Sequence, residues 1–398
     1  MRKIWMSPWS YKESFLIAGG LFFVGIMLEF FSIPVPNAPV FPYSFLFIIL
    51  FALSCVVCFW LNNSNFIVRW FTSIPAAISA IVFFLGLSLL MALITQSNSI
   101  EIHWYKRIIA SWPYLFSLFY FLLTLGVTAV KRIKNFNVSN ISFILNHFGL
   151  WLTVAAGSFG SADITKFTVY LTEGQLTWQG YNQYQQVVEL PIAFKLIDFT
   201  IDDYEPKIDI VDSNGVSQLG KRDKSFYITP NAVGIVNDWK LKVKRYYADA
   251  IWMDSLGWKS VYYPGSAPAA EVLISNGNDS VHGWISCGSK LVVPSYLNLL
   301  DGTFLIMQTP HPRSYKSDLL IINKEKNISR ELLKVNSPIK NSGYSIYQTG
   351  YDEEDGKWST TSIIELVKDP WINVIYVSMF MMILGTVLLI WQGKQKIE

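Results

Sequence analysis

The side chain best placed to do chemistry is His147, in SNISFILNHFGLWLTVAAGSFGS. Imidazole is a common metal ligand and a standard axial ligand of haem iron. This one lies in an apolar run, where an ionisable group is costly and usually faces the interior of a helical bundle. Gly149, Thr153 and Gly157 follow it at a spacing of four. That small-residue stripe permits close helix packing or the approach of a flat ligand. Two readings stand. His147 is a ligand, or it bonds a neighbouring helix and the stripe is ordinary packing.

The other candidates are weaker. Cys55 and Cys58 form a CxxC inside a second apolar run. A thiol relay uses that spacing in a thioredoxin-like setting, but buried free cysteines also act as small apolar side chains. Glu29 sits near the end of the first apolar run and reaches either the interface or a polar partner. His103, beside Trp104 and Tyr105, reads as an interfacial anchor. His282 and His311 stand in a polar region with no Cys, His or carboxylate nearby at metal-ligand spacing. Cys287 is alone there, so no disulfide framework is expected. GxSxG, Walker A, HExxH and EF-hand patterns are absent, which argues against a self-contained hydrolase or a nucleotide-driven pump.

These residues must be positioned by a membrane bundle. Of 398 residues, 52% are apolar, 15% charged and 16% aromatic, against roughly 25% charged in soluble domains. The net charge of +3 gives no sign of a nucleic-acid partner. Six windows have the apolar length, about 20 residues, that crosses a bilayer: 14–31, 44–61, 74–95, 111–130, 141–160 and 371–391. The first is followed by IPVPNAPVFP rather than a small-residue cleavage site, so it reads as an uncleaved span. Arg2, Lys3, Lys12, Arg69, Lys131, Arg132, Lys134, Lys394 and Lys396 fall on one side and only Lys106 and Arg107 in the short loops of the other. By the positive-inside rule both termini are cytoplasmic, and His147 lies roughly 10 Å inside the cytoplasmic end of its helix. Seven residues follow Trp391, so no output domain is expected at that end.

Between the fifth and sixth spans the pattern changes to period two. In DWKLKVKRYY, Trp239, Leu241 and Val243 alternate with lysines, as in a half-buried strand. FTVYLTEG, PKIDIVDSNG, TFLIMQ, DLLIINK and YSIYQTG are further strands, separated by Gly, Asn, Asp and Pro clusters. The expected fold is a polytopic α-helical membrane protein of about six spans, with a large, mostly β extracytoplasmic domain inserted before the last helix. That domain reads as a sandwich or open barrel-like sheet without a long amphipathic helix. Expected divisions are 1–70 (two extra N-terminal spans), 71–164 (core spans three to five), 165–369 (β-rich domain) and 370–398 (last span and tail).

The stretch KVNSPIKNSGYSIYQTGYDEEDGKWSTTSIIELVKDPW resembles the ResB/CcsB family of system II cytochrome c biogenesis proteins. Asn336, Pro338, Gly343, Tyr344, Tyr347, Gln348, Asp369 and Pro370 carry the likeness. LPIAFKLIDFTIDDYEPKIDIVDSNG is similar to a family strand pair. ASWPYLFSLFYFLLTLGVTAVKR and NHFGLWLTVAAGSFGS…LTEGQ are similar to the second and third family spans. The resemblance runs from about Ile74 to the C-terminus, is loose over 216–330, and leaves residues 1–70 unexplained. It implies a periplasmic β domain on a bacterial inner membrane protein. It also implies haem b as the transported substrate, a CcsA-like multispan partner and apocytochrome c as client. The family's membrane histidine, a haem axial ligand, falls on His147. No tryptophan-rich WWD-type segment is present, so the chain does not resemble the fused form. The implied role is a subunit of a haem lyase complex, with no catalytic residue assigned here and the chemistry completed by the partner. A scaffold without haem ligation, or a thiol-redox protein using Cys55 and Cys58, are the alternatives.

Overall fold

The computed structural model describes residue 5 and residues 8–61, 65–97, 103–134, 140–220, 226–277 and 279–395. Arg2, Lys3 and Lys396 of the charge bias, and 98–102 of the loop before His103, fall outside them. The chain forms two compact units: residues 1–165 with 369–398, and residues 166–368.

The first unit contains α1 (Tyr11–Phe30), α2 (Tyr43–Trp60), a short α3 (Phe66–Phe71), α4 (Ile74–Leu93), α5 (Trp112–Lys134), α6 (Ile141–Phe159) and α7 (Ile372–Gln395). All but α3 are long and apolar enough to span a membrane, and the chain is a multi-pass membrane protein with the expected six such helices among the described residues. Local signals start several of them. Ser10 and Glu13 form a capping box at α1. Ser73 caps α4, with a proline in its first turn. Asp369 accepts the Trp371 N–H at 2.8 Å just ahead of α7. Helix α5 runs a turn past Val130, because Lys131, Arg132 and Lys134 complement its C-terminal dipole.

Helix α5 is the centre, with α1, α2, α4 and α6 packed around it. Its buried polar groups are satisfied between helices: Tyr120 Oη lies 2.7 Å from Ser79 Oγ and donates to the Ala76 carbonyl at 3.2 Å. Trp70 of α3 donates to Ser14 of α1 at 2.8 Å.

Helices α6 and α7 bracket the inserted domain and are locked by two glycines. A Cβ on Gly149 would stand 2.7 Å from the Ser378 carbonyl oxygen, and one on Gly385 2.4 Å from the Asn146 nitrogen. Asn146 donates to Thr386 Oγ1 at 2.6 Å, and Thr153 and Ser378 hydroxyls lie 2.7 Å apart. Just past α6, Asp163 accepts from the Phe41 N–H, the Ser44 hydroxyl and the Trp371 indole, each at 2.6 Å. Burial opposes its charge, but these donors outweigh burial and hold its pKa below the ordinary value. One carboxylate therefore ties α2, α6 and α7 together.

The second unit is β-rich. Its strands are β1 (Thr165–Thr172), β2 (Leu176–Tyr181), β3 (Val187–Asp203), β4 (Lys207–Val211), β5 (Phe226–Tyr227), β6 (Val233–Val236), β7 (Trp239–Met253), β8 (Gly257–Ser260) and β9 (Ala267–Asn276). They continue as β10 (Asp279–Ser286), β11 (Leu297–Asn298), β12 (Phe304–Met307), β13 (Pro312–Asn323), β14 (Ile328–Lys334), β15 (Ile339–Asn341), β16 (Tyr344–Tyr351) and β17 (Thr361–Lys368). Every segment picked out by alternation is a strand. Among the described residues, the only helical piece in this unit is the short 3₁₀ stretch Glu353–Trp358.

Eight strands form one sheet in the order β14-β13-β3-β2-β1-β17-β16-β15. Its edge strands β14 and β15 are consecutive in sequence, so the sheet bends back around one apolar core that includes Phe194, Leu319, Leu333, Ile346 and Leu366. This is the open, barrel-like arrangement. A five-stranded sheet (β10-β9-β7-β6, with β8 on β7) and a four-stranded one (β11-β12-β4-β5) share a second core around Ile210, Leu241, Ile274 and Leu305. Entry strand β1 and exit strand β17 are neighbours, with Lys166 and Glu365 at 4.0 Å. A domain whose ends lie together can be inserted between two helices without parting them.

The glycine contacts give a graded expectation. Gly149→Ala and Gly385→Ala should each cost about 1–3 kcal/mol by overpacking. Gly157→Ala, with nothing within 4 Å, should gain up to about 1 kcal/mol from helix propensity. Thermal unfolding in detergent measures this, and equal effects at all three positions would refute the packing account.

Candidate functional site

His147 lies on α6 and is half-buried. By helical spacing it is set apart from Ser142, Asn146, Gly149 and Thr153, which meet α7. Trp151, four residues on and so close by round the helix, donates its indole N–H to the Leu122 carbonyl of α5 at 3.0 Å. Nδ1 lies 3.1 Å from the Phe143 carbonyl one turn back. The ring stacks on Phe143 at 3.6 Å between centroids, and the Arg132 guanidinium sits over that phenyl ring at 4.9 Å. With Nδ1–H donating to the carbonyl, Nε2 carries the lone pair. Among the described residues Nε2 has no hydrogen-bond partner. Among the described residues the imidazole bonds its own helix and no neighbouring one. The small-residue stripe resolves as packing at Gly149 and Thr153, against α7, and as open space at Gly157.

Cys55 is buried at 2% exposure against α5, where a Cβ on Gly126 would meet its Sγ at 2.6 Å. It packs as a small apolar residue, and Cys58 is a free thiol. Glu29 has the polar partner the sequence left open: it accepts from Arg107 and from the Trp112 N–H, each at 2.8 Å. His103 stacks on Tyr105, beside Trp104.

In the β-rich unit the residues of the 336–370 stretch take positions that explain their types. Asn336 and Gly343 have left-handed backbones (φ 60° and 79°) in the turns flanking β15. Gln348 is buried, accepts from Ser317 at 2.6 Å and donates to Ser362 at 2.9 Å, joining β13, β16 and β17 through the barrel core. Asn336, Pro338, Tyr347 and Gln348 also line a cleft of about 560 Å³ with Lys166 and Lys334.

One cluster was invisible to sequence spacing. His282 lies 11 residues from Glu271 in the chain, yet strand pairing puts its Nε2 at 2.8 Å from Glu271 Oε1. Arg245 donates to the other carboxylate oxygen at 2.5 Å, and its guanidinium lies 5.4 Å from the Trp284 ring. The sequence shows no partner for His282 at metal-ligand spacing; β9 and β10 bring Glu271 to it across the sheet. The Arg245 hydrogen bond, helped by His282, holds Glu271 below the usual carboxylate range against its burial. Cys287, by contrast, is pushed up to about 11 by burial, which makes it an unready nucleophile.

Residues 290–365, about a fifth of the chain, match the model of the ResB-like family. The chain thus carries a ResB-like segment, which bears out the resemblance read from the 336–370 stretch and extends it into the loosely matching region. No curated protein matches the chain. A solved structure titled Cytochrome c Heme Lyase CcmF aligns with 97% of this chain at 11% identity and a TM-score of 0.25. This chain spans only 46% of that one, and a superposition so loose does not define a shared fold.

The Glu271 cluster generates a pH expectation. A carboxylate whose folded pKa is depressed stabilises the fold above its unfolded pKa, about 4.3, and that stability is lost as pH falls through the lower folded value. Glu271→Gln should cost roughly 1–2 kcal/mol near neutrality and flatten the stability–pH curve below about pH 4.5. Thermal melts across pH 3–7 check both, and parallel curves for the two proteins would discard the assignment.

Proposed function

We propose that this protein serves cytochrome c biogenesis as a haem-handling membrane subunit. The observation that carries the reading is the presentation of His147: a half-buried transmembrane imidazole with one nitrogen tied to its own helix and the other without a hydrogen-bond partner among the described residues. That suits an axial ligand for iron, because the bond at Nδ1 fixes ring and tautomer while Nε2 remains the donor atom. The ResB-like segment supports the process. Haem here is cargo, taken up and passed on rather than kept.

In this reading the nine Lys and Arg residues of one side are cytoplasmic, both termini are inside and the β-rich unit is periplasmic. The pairing of Arg107 with Glu29 supports that orientation, because it neutralises one of the two opposing cations. A CcsA-like partner supplies the second ligand and completes attachment to the CxxCH cysteines of an apocytochrome. His147 binds and orients, and no residue of this chain is assigned to thioether formation. The scaffold alternative keeps the assembly and drops the ligand. The buried packing of Cys55 disfavours the thiol-redox alternative.

His147→Ala should strip haem from the purified protein or its complex and abolish low-spin bands in the visible spectrum. Added imidazole should restore part of the spectrum, because it replaces the lost ligand without restoring any packing. Unchanged haem content and cytochrome maturation in the variant would leave the scaffold reading in its place.

A further inference from the structure

Strand β7 carries lysines at alternate positions, and the haem-handling reading gives them no role. Its partner β6 is an edge strand of the five-stranded sheet and pairs with β7 alone. Register sets Ile235, Lys240, Ser275 and Ser280 in one row across β6, β7, β9 and β10. Val233, Lys242, Leu273 and His282 form the next. The other face of these strands is core, where Leu241, Val243, Val272 and Ile274 are buried.

The outer edge of β6 is open to a further strand. The Val243 N–H donates to the Ala232 carbonyl at 2.8 Å. Hydrogen-bonded pairs alternate along an antiparallel ladder, so Gly234 and Val236 also face β7. Val233 and Ile235 aim their N–H and C=O groups the other way, and among the described residues nothing bonds them. Both residues are largely exposed, at 70% and 67%. From the core side the Phe226 ring braces the strand, so close that a Cβ on Gly234 would stand 2.6 Å from it.

Proteins usually blunt such edges with charge, as Arg330, Glu331 and Lys334 do on β14. Strand β6 carries no charge, and the charge stands one strand in. Among the described residues Lys240 and Lys242 form no salt bridge. Neither of their rows holds a carboxylate. Glu271, in the row beyond, is already engaged by Arg245 and His282. At a spacing of about 4.8 Å per strand, a strand added to β6 lies about 10 Å from β7. A lysine stem laid over Val233 or Ile235 then brings its ammonium to an acidic side chain on that strand.

We propose that the β6 edge takes up an extended acidic segment of another protein as an additional strand. Val233 and Ile235 supply the backbone hydrogen bonds and the apolar contact, and Lys240 with Lys242 selects for carboxylates. An anionic lipid headgroup satisfies the lysines but leaves the backbone groups unpaired. A second copy of this chain brings its own lysine row to the same sheet. The inference is independent of His147 and of haem. So short an edge makes a weak, salt-sensitive contact, which suits a transient partner.

The test uses full-length protein in neutral-lipid nanodiscs and a fluorescent peptide of alternating Glu and Val, read by anisotropy. Binding should weaken at least about tenfold as added salt shortens the Debye length from about 30 Å to about 8 Å. A peptide of alternating Lys and Val should not bind. Lys240→Gln with Lys242→Gln should weaken binding about tenfold. Ile235→Pro removes an outward N–H and no bond to β7, and should weaken it too. Two further peptides carry N-methyl groups on alternate residues, one in each phase. One should lose binding and the other keep it, a readout that charge attraction alone does not give. Equal binding of the two methylated peptides, or of wild type and the lysine variant, overturns the proposal. Phosphatidylglycerol vesicles that sediment the nanodiscs while the acidic peptide stays free would make this a lipid contact instead. Self-association lost in Ile235→Pro, again without peptide binding, would assign the edge to a second copy. No peptide binding by wild type overturns the proposal outright.

Discussion

The contact between α6 and α7 is the constraint on which the architecture depends. The chain leaves the bundle at the end of α6 and returns only at α7, after an insertion of about 200 residues. Closing so long a loop while it is unfolded costs roughly 5 kcal/mol. Single interhelical hydrogen bonds in lipid contribute about 0.6 kcal/mol each, so a few of them do not hold the pair together. The gain must come from backbone-to-backbone packing at Gly149 and Gly385, and from folding of the insertion. The second term follows from topology. Because β1 and β17 are adjacent strands, the folded domain brings its own ends together and removes most of the closure cost.

The same pair of helices sets where His147 can be. Asn146, Gly149 and Thr153 are committed to α7, and Trp151 and Ala155 to the core around α5 and α2. At 100° per residue that leaves Phe143, His147 and Leu150 on a remaining arc. The histidine is held by its own helix and by Phe143. Its ring is fixed without a neighbouring helix: among the described residues its one hydrogen bond goes to its own helix.

Period and length were enough to read the six spans and six of the strands, because burial in lipid demands about 20 apolar residues and half-burial in a sheet demands alternation. The barrel-like curl was partly legible, since a short Asn-Ser-Pro turn separates two strands that become opposite edges of one sheet. What the sequence hid were contacts made by register. Glu271 and His282 sit at no ligand spacing, yet a hairpin places them side by side. Asp163 meets residues 119 to 208 positions away, and nothing local in the SAD tripeptide announces it. The stretch that carries the family likeness proved to be largely structural: turn conformers, a glutamine bridging the barrel, and a helix cap. Such residues mark a family because few other types satisfy those backbone and burial demands.

The two N-terminal spans, which the resemblance leaves unexplained, are then best understood through α5. Its buried face is not apolar throughout: Ser117, Tyr120 and Thr124 are enclosed there, and enclosure in lipid is tolerable only while neighbours exclude hydrocarbon and supply acceptors. Helix α4 supplies the partner for Tyr120. Helices α1 and α2 cover the rest: Gly25 brings α1 against Pro113, at the start of α5, and Cys55 of α2 fills the notch at Gly126. The Asp163 bonds to Phe41 and Ser44 then fasten the start of α2 to the helices that bracket the β-rich unit. A core stripped of α1 and α2 would leave Gly25's and Cys55's contact surfaces on α5 facing lipid and would free one side of the Asp163 node. In this chain the first two spans complete the bundle that holds α6 in place, and His147 with it.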